Sequence, residues 1–289
     1  MDFDTRYAEL VRHLINNGER LTNYRTGLVV MQDIGLSWVF DLRDGFPILT
    51  TKRVFWESAF AEMIGFIRGY DSAAQFRAIG CPVWDQNANE TPAWLCSPYR
   101  KGPDDLGRVY GVQWRSWMNP AGQKVDQLAN IYDKLCRGID DRRLILQAWN
   151  PGELDLMCLP PCHYSAVFSL VEGGKALDLT VTIRSNDVGL GMPFNVTQYA
   201  FLLALMAHIT GLKPRKLHYH AINYHIYSNH LNQLREQIKR EPYLATAKLR
   251  LHPDIVSLQD VEAFDGSLKE LFRVEDYNHH PAIKMPMAA

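Results

Sequence analysis

From Leu177 to Arg184 the chain alternates without a break, with Leu177, Leu179, Val181 and Ile183 set against Asp178, Thr180, Thr182 and Arg184. Successive side chains leave opposite faces of a strand, so this segment predicts a half-buried β-strand with Arg184 on its polar face. Shortly afterwards the period changes. Asn195 to Thr210 is apolar almost all round, which predicts a long buried helix closed by Gly211 and followed by Pro214. Further helices are predicted over Asp4–Asn17, with Tyr7, Leu10, Val11 and Leu14 on one face, and over Glu57–Arg68, ended by Gly69. Residues 142–150 and Leu217–Tyr227 read as strands. Strands and helices mixed without regular βαβ alternation predict an α+β fold.

No Pro/Gly/Ser-rich linker, repeat or low-complexity stretch divides the 289 residues, so one domain over 1–289 is expected. A net charge of -1 argues against bulk binding to nucleic acid, although local basic clusters could hold a small anion. Cys81, Cys96, Cys136, Cys158 and Cys162 are scattered and contain no C-x-x-C. Neither a disulfide framework nor a zinc knuckle follows, and a reduced cytoplasmic protein is expected. The charged N-terminus lacks a signal-peptide core, and the apolar run Tyr199–Ala207 is far short of the roughly 20 residues that cross a bilayer. His218, His220, His225 and His230 could chelate a metal, but no Asp, Glu or Cys stands at ligand spacing beside them, so none is expected.

Two places carry chemistry. In Leu159-Pro160-Pro161-Cys162-His163 one thiol lies between a proline pair and a histidine. Arg142-Arg143 precedes it by about twenty residues and Arg184-Ser185-Asn186-Asp187 follows at a similar distance. A nucleophile among anion-binding groups suits attack on a phosphorylated substrate. The competing reading is a small buried cysteine beside a core histidine. The second place is Glu62, a lone carboxylate in the apolar middle of its helix between Phe60, Met63, Ile64 and Ile67 on one face and Ala59, Gly65 and Phe66 on the other. A buried, unpaired carboxyl responds with a raised pKa, which suits proton transfer.

A set of motifs runs in order over nearly the whole chain: Tyr24-Arg25-Thr26-Gly27, Phe46-Pro47-Ile48-Leu49-Thr50-Thr51-Lys52-Arg53, Asp105 to Arg115, Asp141-Arg142-Arg143, Pro160-Pro161-Cys162-His163, Arg184-Ser185-Asn186-Asp187, Gly191 to Asn195, His225 to His230 and the tail from Tyr277. In these the chain resembles the thymidylate synthase family. The resemblance implies a large bent mixed sheet with helices on one face and an obligate homodimer through the other. It implies Cys162 as the nucleophile that adds to C6 of a uracil ring, Glu62 as proton relay, Tyr110 near the base, and His163 in support. Arg25, Arg184 and Ser185 would hold the 5′-phosphate, joined by Arg142 and Arg143 reaching in from the partner. Asn195 would read the base edge, favouring uracil because relatives acting on cytosine tend to carry Asp there. His225 and Tyr227 would bind the sugar. Trp84, Asp187 and the terminal Ala289 would meet 5,10-methylenetetrahydrofolate.

Four positions depart from the family pattern: Ile183 for a glutamine, Asn223 for an aspartate, Tyr24 for an acidic residue and Gly65 for a tryptophan. Losing the glutamine and the tryptophan would loosen the exclusion of water from the C5 methylene that forms on the nucleotide. The leading expectation is therefore a deoxyuridylate hydroxymethylase, making 5-hydroxymethyl-dUMP, with thymidylate synthase as the alternative. A cytosine-nucleotide hydroxymethylase and a non-catalytic nucleotide- or RNA-binding relative are the remaining readings.

Overall fold

The computed structural model describes residues 2–287. Helix α1 (Phe3–Asn17) starts where the Asp2 carboxylate accepts the Thr5 amide at 2.7 Å, and buries the predicted stripe of Tyr7, Leu10, Val11 and Leu14. Helix α2 (Trp56–Ile67) ends on Arg68 with Gly69 at φ 68, a left-handed stop of the kind the glycine predicts. Helix α3 (Tyr110–Ser116) is short. Helix α4 (Gly191–Ile209) begins four residues before the predicted start. Gly191 and Pro193 read as breakers in sequence, yet both fall in the first turn, where a missing N–H costs nothing.

Six strands form the main sheet: β1 (Glu19–Thr22), β2 (Val29–Asp41), β3 (Ile145–Gln147), β4 (His163–Val171), β5 (Ala176–Asp187) and β6 (Lys213–Tyr227). Their order is β1-β2-β6-β5-β4-β3, antiparallel throughout except for β5 and β6, which run parallel. The sheet with its packed helices gives the mixed α+β architecture that the sequence predicts. The strand predicted over 142–150 shrinks to three residues. Asp141 turns the chain by accepting the Arg143 amide at 3.1 Å, and Pro151 opens a 3-10 turn on the other side.

Helix α4 is apolar all round because it is covered all round, by β5 and β6 on one side and by α2 on another. Phe60 of α2 stacks on Phe201 of α4 at 4.1 Å between ring centroids. The opposite face of the sheet is left partly open. One row crosses Val39, His218, Thr180 and Val167, and the next crosses Ser37, His220, Thr182 and Ser165. Among the described residues no helix is long and apolar enough to cross a membrane.

Candidate active site

Cys162 stands at the entry to β4, where the pairing register with β5 shifts between His163 and Ser165. Such an irregularity kinks a strand and re-aims the side chains beside it. Four hydrogen bonds fix the loop. The Cys162 amide donates to Tyr110 Oη at 2.7 Å, and its carbonyl accepts the Arg184 amide at 2.9 Å. Arg184 also donates through its guanidinium to the carbonyls of Pro161 (2.9 Å) and Pro160 (3.0 Å), with Nη2 3.9 Å from Cys162 Sγ. The same guanidinium lies over the Trp149 ring at 5.3 Å. Burial nevertheless raises the Cys162 pKa, and the opposing fields of Arg184 and Arg25 do not overcome it.

His163 gives the thiol no charge. Its ring is buried, Nδ1 meets Tyr199 Oη at 2.7 Å, and the ring stacks on Tyr110 at 4.2 Å. Burial pushes its pKa down to about 3, so it is neutral near neutral pH. The adjacent histidine is thus a packing partner of Tyr110 and no source of positive charge for the sulfur.

Glu62 is buried in α2, and burial raises its pKa to about 7. Gln198 on α4 donates Nε2–H to Glu62 Oε2 at 2.6 Å. Trp84 also favours the charged form, although its buried indole N–H closes no full hydrogen bond among the described residues. Phe66, Phe76 and Tyr110 enclose the Trp84 ring, with centroids 6.1, 6.0 and 5.8 Å from it.

A half-buried thiol under two arginines and a buried carboxyl with a neutral-range pKa both act on Tyr110. The sequence comparisons agree with this arrangement. The thymidylate synthase family model matches residues 5–289. Relatives named thymidylate synthase from Haemophilus influenzae (46% identical), Aliivibrio fischeri (47%) and Photobacterium profundum (47%) each align over 98% of this chain and 99% of their own length. The chain belongs to the thymidylate synthase family.

These relatives overturn hydroxymethylation as the leading expectation, and the structure gives a physical reason. Position 65 does lack a tryptophan, but the space is not open. A Cβ on Gly65 would overlap the Phe76 ring, which is itself fully buried. Ile183 is sealed in the core, and the polar partner of Glu62 comes from Gln198 on another element. The expected entry for water is filled.

Around the other thymidylate synthase motifs, side chains are held in relays. Tyr219 donates to Asn186 Oδ1 at 2.7 Å, and Asn186 Nδ2 donates to Asn195 Oδ1 at 3.2 Å. Asn223, in place of an aspartate, sits between His225 Nδ1 (2.8 Å) and Gln32 Oε1 (2.9 Å). The Asn223 oxygen facing His225 requires the imidazole to donate from Nδ1, which leaves Nε2 as an acceptor in the neutral ring. Tyr227 packs edge-on against His225 at 4.9 Å and lies within hydrogen-bonding reach of Arg25. Asn23 shapes the turn that carries Arg25, accepting the amides of Arg25 and Thr26 at 3.1 and 3.0 Å, while Tyr24 projects fully into solvent. Ser185 is half-buried on β5 opposite Asn223.

Asp187 accepts the amides of Gly189 (2.8 Å) and Leu190 (3.3 Å) and lies 3.6 Å from His230 Nδ1. Two neighbours were missed in the sequence reading. Lys52 is buried with Nζ on the Gly189 carbonyl at 2.6 Å, and burial lowers its pKa to about 8. His230 meets the Pro286 carbonyl at 2.7 Å and so ties down the C-terminal segment. The signal for Lys52 was present as a charge directly after the buried run Ile48–Thr51. Arg142 and Arg143 are not drawn into this cluster. Both are exposed, and Arg143 pairs with Asp141 at 2.9 Å. Ala289 lies outside the described residues.

Proposed function

We propose that the chain is a thymidylate synthase that methylates C5 of dUMP with 5,10-methylenetetrahydrofolate. The observation that carries this reading is the pairing, around Tyr110, of a half-buried thiol beneath Arg184 and Arg25 with a sealed carboxyl at Glu62. Cys162 Sγ adds as the thiolate to C6 of the uracil ring, and C5 becomes the nucleophile. Arg25, Arg184 and Ser185 hold the 5′-phosphate, a task for which the planar guanidinium is well shaped. Asn195 offers its amide to O4 and N3–H, and His225 Nε2 and Tyr227 take the sugar hydroxyl. Glu62 moves protons to and from the base carbonyl near neutral pH. Tyr110 positions the nucleophile loop, and His163 supports Tyr110.

The folate supplies the one-carbon unit and the hydride. Its ring carries N–H groups, and the Asp187 carboxylate, fixed by two backbone amides, is a rigid acceptor suited to them. Trp84 lines the same side and helps keep water from Glu62. The packed aromatic wall favours hydride over water at the new methylene.

The active form is a homodimer built on the open sheet face, with residues 1–289 as one catalytic unit in each copy. Arg142 and Arg143, exposed on this chain, reach into the partner's site in that dimer. The free cysteines fit a reducing cytoplasm. To test the activity, dUMP and methylenetetrahydrofolate are incubated with the protein, and products are identified by mass while dihydrofolate absorbance is followed. Thymidylate and dihydrofolate in equal amounts are expected. Unchanged dUMP, or a hydroxymethylated product with no dihydrofolate, overturns the reading.

A further inference from the structure

Gln198 is the only polar side chain of α4 that reaches the Glu62 carboxyl by a hydrogen bond among the described residues, and it does so from complete burial. Its other end is idle. Gln198 Oε1 is buried and has no partner. A buried acceptor without a donor costs stability, so a fold that keeps one invites a functional explanation. We propose that Gln198 is the positioning residue for Glu62 in both of its protonation states, presenting N–H to the carboxylate and, after a half-turn of the amide, C=O to the carboxylic acid.

The geometry supplies both halves. Nε2–H meets the carboxylate at 2.6 Å, a short contact suited to a charged acceptor. When Glu62 takes a proton, that oxygen becomes a donor, and the idle Oε1 is the acceptor that the rotated amide brings to it. A carboxamide offers a donor and an acceptor of nearly the same shape about one bond. Trp84 also favours the charged form but, as a donor only, cannot serve the acid, and the titratable groups facing Glu62 from neighbouring elements do not compete. Cys81, Tyr110 and Tyr199 feel its charge, but burial raises all three above their ordinary values, so they stay neutral near neutral pH. This inference rests on the reading of Glu62 as the proton-transfer group, and it explains how Glu62 can cycle without shifting its position.

The test reads Glu62 directly in the ligand-free protein, by infrared difference spectroscopy across neutral pH with Glu62→Gln as the blank. Gln198→Met keeps the volume and removes both polar ends, and the carboxyl midpoint should rise by about one unit as the stabilising donor is lost. Gln198→Glu keeps the shape and sets a second carboxyl against the first, so the single titration should split into two steps. In turnover, Gln198→Met should lower kcat roughly tenfold with KM for dUMP unchanged. A merely structural Gln198 would lower Tm in both variants and leave the midpoint where it was, which overturns the proposal. If Gln198→Met does not fold, the Gln198→Glu titration decides alone. Absence of thymidylate from the unmodified protein would remove the proposed activity, yet leave the shift in midpoint to be judged separately.

Discussion

The Glu62 pocket and the arginine rim around Cys162 meet at Tyr110 and are built on opposite plans. In the pocket everything is finished within one chain. Glu62 is sealed, hydrogen-bonded by Gln198 and walled by aromatic rings, and burial has brought its pKa to about 7. At the rim the thiol is half-buried and its pKa stands above the ordinary cysteine value, Arg25 rides on a surface turn, and Arg142 and Arg143 are exposed, Arg143 paired only with its neighbour Asp141 among the described residues. The acid–base side is preorganised by packing, which needs only the core. The nucleophile side depends on charge, and in the proposed dimer more of it would arrive with a second copy and a substrate.

The largest expected effect tests whether the rim holds the nucleophile at all. Cys162→Ala should reduce thymidylate formation on the order of 10⁴-fold or more, with dUMP binding by equilibrium dialysis changed only a few-fold. Residual turnover near that of the unmodified protein would move the nucleophile elsewhere and end the comparison.

Next comes the pocket. Glu62→Gln should lower kcat on the order of 10³-fold. It should also change stability with a definite sign. Because the folded pKa of Glu62 is raised above its unfolded value of about 4.5, folding retains a proton there and the acid form is the comfortable one. The destabilising charge is absent below the unfolded pKa and fully present above about 7, with an upper bound of ~3 kcal/mol. Glu62→Gln should therefore raise Tm more above pH 7 than near pH 4, measured by calorimetry. Equal gains at both would mean that the carboxyl is solvated after all.

The two regions also differ in how far they could be read from sequence. Glu62 was legible because a lone carboxylate on an apolar helix has one meaning in burial terms, whatever surrounds it. The strand from Leu177 was legible for the same local reason, a period of two. What surrounds Glu62 was not legible. Gln198 lies 136 residues away in the chain, and no period or spacing connects the two. The hydroxymethylase expectation failed at that point. It counted a missing tryptophan at Gly65 and a missing glutamine at Ile183 as holes, whereas Phe76 fills one and the buried Ile183 side chain itself packs the other. Packing density is a property of neighbours in space, so a vacancy in sequence is no measure of a vacancy in the core. At the rim the short strand β3 escaped for a similar reason, since the Asp141 turn consumed residues with strand-like composition.

The third test bears on the claim that the rim is half of a shared site. Arg142→Ala combined with Arg143→Ala should raise KM for dUMP on the order of 10²-fold in a variant that keeps its fold. Assayed at dUMP far below the raised KM, where both variants are nearly inactive, an equal mixture with Cys162→Ala allowed to exchange subunits should recover about a quarter of normal activity. Half the dimers are then hybrids, and each hybrid has one intact site of its two. No recovery, with exchange verified by native mass spectrometry, would confine both arginines to their own chain.

The smallest effect lies where pocket and rim share a polar relay. Asn195 can serve uracil or cytosine depending on which end of its amide faces the ring. Asn186 Nδ2, itself steadied by Tyr219, holds Asn195 Oδ1 and leaves Nδ2 free to donate, the sense that suits O4 of uracil. Asn186→Ala removes that restraint but no group that touches the base. It should lower kcat/KM for dUMP about tenfold and narrow the preference for dUMP over dCMP by a similar factor, the worth of one hydrogen bond to an orienting neighbour. The ratio is the informative quantity. If both nucleotides lose activity together, Asn186 only supports the fold, and if dUMP alone suffers, the relay that joins the sealed side to the open one also chooses the base.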